Sequence, residues 1–86
     1  MVLQIVNEKG LHARASARFV EVVEAHDAEA KVSKDGMTVS GDSIMGLLML
    51  AASRGTEIEV TTSGAEADKL AQALAELVAS RFGEAF

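Results

Sequence analysis

The sequence predicts a two-layer α+β domain, with three helices covering one face of a four-stranded antiparallel sheet. Three segments alternate between apolar and polar residues and a fourth is a β-branched run. Two others repeat their apolar residues at helical intervals and a third is a short apolar stretch behind a cap, which gives the order βαββαβα. Between the second and third strand segments stands Asp35-Gly36, a strong two-residue hairpin signal that makes those strands antiparallel neighbours. No linker, repeat or low-complexity stretch divides the chain, so residues 1–86 are expected to form a single domain.

Each element has its own signal. Val2-Leu3-Gln4-Ile5-Val6 is a β-branched run that ends at the turn formers Asn7-Glu8-Lys9-Gly10. A helix is expected over 16–25: Ser16 offers a cap, and Phe19, Val20 and Val23 recur at helical spacing between Arg18, Glu21 and Glu24. Residues 28–34 and 37–40 alternate on either side of the hairpin turn. Gly41-Asp42-Ser43 then offers a cap to a short helix over 44–52, ended by Arg54 and Gly55. Glu57-Ile58-Glu59-Val60-Thr61 is an alternating strand. Ser63-Gly64-Ala65-Glu66 has the form of a capping box ahead of a stripe of Ala67, Leu70, Ala71, Leu74, Leu77, Val78 and Phe82. The pattern gives no strand order.

Composition removes several functions. With no cysteine, the chain has no disulfide, thiolate metal site or cysteine nucleophile, and it suits a reducing cytosol. The longest apolar stretch, from Ile44 to Ala52, is far short of the ~20 residues of a membrane helix. The first residues lack the basic start, apolar core and cleavage site of a signal peptide. Eight Lys and Arg against thirteen Asp and Glu leave a net charge of −5, and the only aromatics are three Phe. Neither phosphate attraction nor base stacking then favours a nucleic-acid partner. His12 and His26 are far apart in sequence with no carboxylate cluster to complete a metal site, so neither metal nor cofactor is expected.

The chemistry falls to few residues. His26 sits near the end of the first helix, where a histidine complements the helix dipole, and is read as structural. His12 lies in Gly10-Leu11-His12-Ala13-Arg14, between a strand end and a helix start. The first N–H groups of that helix lack internal partners and, with the dipole, favour an anion. Arg14 adds a fixed charge and a planar fork suited to phosphate oxygens. That positive field disfavours imidazolium, and a neutral imidazole is a nucleophile whose phosphoryl adduct would meet the same donors. On this reading alone a simple helix-capping role for His12 stays open. The helix over 44–52 is apolar nearly all round, so part of Ile44, Met45, Leu47, Leu48, Met49 and Leu50 must face away from the core. The helix is either more deeply buried than its neighbours or leaves an apolar patch of the kind that marks a partner site, and the small size of the chain favours the patch.

Gly10-Leu11-His12-Ala13-Arg14, followed in order by Asp42-Ser43-Ile44-Met45-Gly46-Leu47, resembles the two signatures of the HPr family of phosphocarriers. The βαββαβα order also resembles that family's open-faced β-sandwich, and the likeness covers essentially the whole chain. The resemblance implies a cytoplasmic, monomeric component of the bacterial phosphoenolpyruvate-dependent phosphotransferase system, a covalent intermediate with no turnover of its own. His12 would receive a phosphoryl group on Nδ1 from phosphorylated enzyme I, with Arg14 assisting, and pass it to an EIIA-type acceptor. Ser43 matches the serine that a regulatory kinase phosphorylates in some bacteria. Ile44, Met45 and Leu48 match partner-facing positions, with Arg18 and Arg54 adding positive charge to the docking face.

One position departs from the family: Ala15 stands where a proline usually follows the arginine, leaving the loop freer in the unfolded chain by ~0.4–1 kcal/mol. Within the family, a sugar-uptake carrier and the nitrogen-branch carrier NPr share the same histidine loop. A non-catalytic ligand-binding α+β regulatory domain is the alternative from another class.

Overall fold

The computed structural model describes residues 1–86. Its elements are β1 (Val2–Gln4), α1 (Ala13–Glu24), β2 (Glu29–Lys34), β3 (Met37–Ser40), α2 (Ile44–Met49), β4 (Glu57–Ser63) and α3 (Ala67–Ala79), followed by a 3₁₀ turn at Arg81–Gly83. The strands form one antiparallel sheet in the order β1-β4-β2-β3, with Leu3 opposite Ile58, Val32 opposite Val60 and Val32 opposite Val39. This is the expected open-faced sandwich.

Strand alternation decides which face is covered. Ala30, Val32, Ile58 and Val60 are buried under the helices, while Glu29, Lys31, Glu57, Glu59 and Thr61 face out on the open side. Phe19 from α1, Leu47 from α2, and Leu70, Leu74 and Val78 from α3 complete the helical side of one core. Each such side chain contributes about 1.5–3 kcal/mol through burial. Both sheet edges are short: three residues in β1 and four in β3.

Several boundaries differ from the sequence reading. Strand β1 stops at Gln4 and α3 at Ala79, which leaves Phe82 outside the helix. Three further differences have a clear local reason. Helix α1 starts at Ala13, with His12 rather than Ser16 as its N-cap. Ser16 is fully buried, and its hydroxyl donates to the Leu11 carbonyl at 3.2 Å. Helix α2 stops at Met49, and Ala51 then takes a left-handed φ of 52°. That break turns Ala52 towards the His12 loop, where its carbonyl accepts from Leu11 N–H at 2.8 Å. The capping box does not form, because β4 runs through Ser63, which pairs with Glu29. Glu66 is itself the cap residue of α3 and exchanges two bonds with Asp27: its N–H donates to the Asp27 carbonyl at 2.9 Å, and its carboxylate accepts from Asp27 N–H at 2.7 Å. That exchange ties the start of α3 to the turn after α1. The Asp27 N–H and the charges of Lys69 and His26 outweigh a smaller opposing effect of burial and hold the Glu66 carboxyl below its ordinary value.

Candidate functional site at the start of helix α1

The loop before α1 is held on both sides. Gly10 has φ 66°, and a Cβ there would stand 2.5 Å from the Ala52 carbonyl oxygen, so only glycine lets the two backbones approach. Leu11 is buried and anchors the next position. Behind the loop, the fully buried Asn7 amide donates to the Gly10 carbonyl at 2.8 Å.

His12 follows in extended conformation, with its side chain about a quarter exposed. Nδ1 accepts from Arg14 N–H at 3.3 Å, so the histidine does cap the helix. Nε2 meets the Glu84 carboxylate. A backbone N–H can only donate and a carboxylate can only accept, so the two partners together require the tautomer with hydrogen on Nε2 and the lone pair on Nδ1. The bond to Nδ1 is long for an N–H···N contact and easily given up. The Nδ1 lone pair, held by this one long bond, therefore sits beside the first N–H groups of a helix.

Glu84 is the residue that sequence reasoning missed. Its second oxygen accepts from the Asn7 amide at 3.0 Å. Burial raises its carboxyl, but the bonds from Asn7 and His12 and the charges of His12 and Arg14 together outweigh that, and it titrates below its ordinary value. The signal was slight, a lone carboxylate just beyond Gly83. What brings it to a histidine 72 positions earlier is a backbone reversal.

Arg14 is exposed and shares with Arg18, Lys9 and Glu84 the lining of an open cleft of about 340 Å³. Arg18 is half-buried and donates to the Phe82 carbonyl, so part of its guanidinium serves the fold. Arg54 is exposed and lines a neighbouring groove with Val6, Glu8 and Phe86, apart from Arg14 and Arg18. Ser43 caps α2, accepting from Gly46 N–H at 3.0 Å. On that helix Leu47 is buried, Leu48 is half-buried, and Ile44, Met45 and Met49 are 40%, 68% and 63% exposed. The surplus apolar surface expected of α2 is present, and Met49 belongs to it. Ala15 is fully buried in the first turn of α1. His26 lies just past the C-cap, where Nδ1–H donates to the Val22 carbonyl at 2.7 Å. No cluster of three or more metal-ligating side chains exists, and no helix is long and apolar enough to cross a membrane.

An open-faced sandwich with a capping histidine and an arginine at one helix start belongs to the class of small α+β proteins with a helix N-terminus suited to an anion. The comparisons narrow the class. The family model for the "PTS HPr component phosphorylation site" matches residues 2–80. The chain is 45% identical over 82 residues to a phosphocarrier protein HPr of Neisseria meningitidis, covering 95% of this chain and 92% of the relative. It is 41% identical over 83 residues to that of Pseudomonas aeruginosa, with the same coverage. Among solved structures, HPr-C-His from Thermoanaerobacter tengcongensis superposes with a TM-score of 0.94 at 34% identity, over 100% of this chain and 97% of that one. An HPr from Bacillus anthracis gives 0.86 at 38% identity, over 91% and 93%. The chain belongs to the HPr family and is a phosphocarrier of the phosphotransferase system. Its phosphotransfer partners are the components of that system. Neither the nitrogen-branch nor the ligand-binding alternative is favoured.

Proposed function

We propose that residues 1–86 act as one carrier domain in which His12 accepts a phosphoryl group from phosphorylated enzyme I and hands it to an EIIA-type acceptor. The observation that supports this reading is the orientation of the imidazole. Nε2 is occupied by Glu84, and Nδ1 faces the first N–H groups of α1. A phosphoryl group arriving on Nδ1 would take over the Arg14 N–H and meet the positive end of the helix, and the Arg14 guanidinium is free to reach its oxygens. Nothing in this step is turned over, so the chain is a covalent intermediate rather than an enzyme.

The same reading assigns Ile44, Met45 and Leu48 to the partner-facing surface, with Arg18 and Arg54 as flanking charge, and Ser43 to regulation by a serine kinase. A cytoplasmic monomer fits the cysteine-free sequence and the short sheet edges, which offer little to a strand from a second copy. The test is labelling with enzyme I and phosphoenolpyruvate. The label is expected to be acid-labile and stable in alkali, absent from His12→Ala and retained in His26→Ala. Label on His12→Ala would overturn the assignment.

A further inference from the structure

The tail after α3 is built in an unusual way. Arg81, Phe82 and Gly83 all have left-handed φ, at 60°, 55° and 77°, a conformation that costs the first two residues energy. The reversal plugs Phe82 into the core, where it is fully buried, and turns the chain back towards the start of α1. Three contacts then hold it there: the Phe82 carbonyl accepts from Arg18, the Phe86 carbonyl accepts from Glu8 N–H at 3.0 Å, and Glu84 accepts from Asn7. All of them fix the Glu84 carboxylate against the one ring nitrogen of His12 that the proposed transfer does not use. The family model's match ends at residue 80, while the superposition on the Thermoanaerobacter HPr runs through the tail.

We infer that Glu84 is a positioning residue for phosphoryl transfer, acting through His12 in two ways. This inference rests on His12 being the phosphoryl acceptor. Before transfer, Glu84 holds the proton on Nε2 and so keeps the lone pair on Nδ1. During transfer, that lone pair forms the N–P bond while the bond from phosphorus to the donor's leaving atom breaks, its electrons departing with the donor. No proton leaves the ring, which keeps Nε2–H and takes on positive charge. The Glu84 carboxylate faces that charge, as a buried aspartate supports the imidazolium of a serine-protease triad. When the acceptor attacks phosphorus, the N–P electrons return to Nδ1 and the neutral Nε2–H ring is regenerated. Glu84 gains no proton in either direction.

The test uses the full chain, with Glu84→Ala and Glu84→Gln. Glutamine keeps the volume but has only one acceptor oxygen for two donors, Asn7 and His12. The nitrogen-15 shifts of the His12 ring, read in alkaline solution where an imidazole is neutral, report the tautomer without any phosphotransfer. In the parent chain Nδ1 is expected to have the shift of an unprotonated nitrogen and Nε2 that of a protonated one. In both variants the two shifts are expected to converge, with native circular dichroism and a labelling rate from enzyme I lowered about five- to tenfold, the worth of one partly exposed charge-assisted hydrogen bond. Unchanged ring shifts in either folded variant would overturn the inference, as would converged shifts with an undiminished rate. Loss of fold in the alanine variant leaves the glutamine variant to decide. Labelling of His12→Ala bears on the acceptor reading alone, so the two failures are distinguishable.

Discussion

Gly83 packs directly beneath the guanidinium of Arg18: a Cβ on the glycine would stand 2.6 Å from Arg18 Nη1. The same guanidinium donates to the carbonyl of the preceding residue, Phe82, so the glycine and the hydrogen bond share one small space. The contact joins α1 to the tail that carries Glu84, and its two components can be separated by mutation.

Gly83→Ala is expected to cost about 1–2 kcal/mol, from a φ of 77° that alanine resists and from displacement of Arg18 from its carbonyl. Arg18 is flexible at its far end, so the steric part is relieved by giving up that bond. In Arg18→Ala the bond is already gone, and Gly83→Ala should then cost only the φ component. Thermal unfolding of the two single variants and the double variant measures this, at about 4–8 °C per kcal/mol for a domain of this size. Strictly additive losses would show that the two residues are not coupled.

The loop before His12 rests on a harder contact. Gly10 faces the backbone of Ala52 and Ser53, which cannot swing aside, whereas a Cβ at Gly55 meets nothing; both glycines have positive φ. Gly55→Ala should cost about 1 kcal/mol for its conformation alone. Gly10→Ala should cost about 2–4 kcal/mol, because overpacking against backbone adds to the same strain. Urea unfolding compares them, and Gly10→Ala should also slow labelling, since Leu11 is bonded to Ala52. Equal destabilisation would mean that the close approach is without consequence.

The acid limb of stability has a defined sign. Glu84 and Glu66 both titrate below their ordinary value of 4.5 in the folded chain. A carboxyl lowered by folding stabilises the folded state above its unfolded pKa, and that contribution is lost as pH falls through the lower folded value. Stability should therefore decline from about pH 4.5 downward. The decline should be shallower in Glu84→Gln and in Glu66→Gln, each of which lacks one of the titrating groups. Urea midpoints taken across that range test the claim, and a variant that parallels the parent chain would refute it for that residue.

The elements with strong periodicity were legible from sequence. Phe19, Val20 and Val23 in α1, and Leu70, Leu74 and Val78 in α3, are buried as their spacing requires. The placement of His12 and Arg14 at the junction of a strand end and a helix was also legible, although the helix begins at Ala13, ahead of the Ser16 cap the spacing suggested. The caps were less so. Ser16 and Ser63 have the right chemistry, but tertiary pairing claims both: Ser16 is buried against Leu11, and Ser63 extends β4 opposite Glu29. Glu84 was illegible for a different reason. Its role depends on non-glycine residues in left-handed conformation at Arg81 and Phe82, and no propensity points to them. Strand order, too, comes from packing between distant segments and leaves no local trace.

Ser43 lies where stability and docking should respond differently to the same charge. Its hydroxyl caps α2 by accepting from Gly46 N–H, and beside it Ile44 and Met45 expose apolar surface. Aspartate is also a good cap, and a negative charge at a helix N-terminus is favourable by ~0.3–1 kcal/mol. Ser43→Asp should therefore keep or slightly raise the thermal midpoint. In a complex, the same carboxylate would have to lose its water beside a patch meant to be covered, and would face whatever acidic groups meet Arg14 and Arg18. Its apparent affinity for enzyme I should fall about tenfold, or ~1.4 kcal/mol. Ser43→Ala supplies the opposite case: it loses the cap, costing about 0.5–2 kcal/mol of stability, and adds no charge to the surface. Thermal midpoint and concentration dependence of labelling, measured on both variants, should move in crossed directions, with aspartate impairing docking and alanine impairing the fold. If Ser43→Asp labels with unchanged affinity, Ser43 lies outside the docking surface and serves α2 alone.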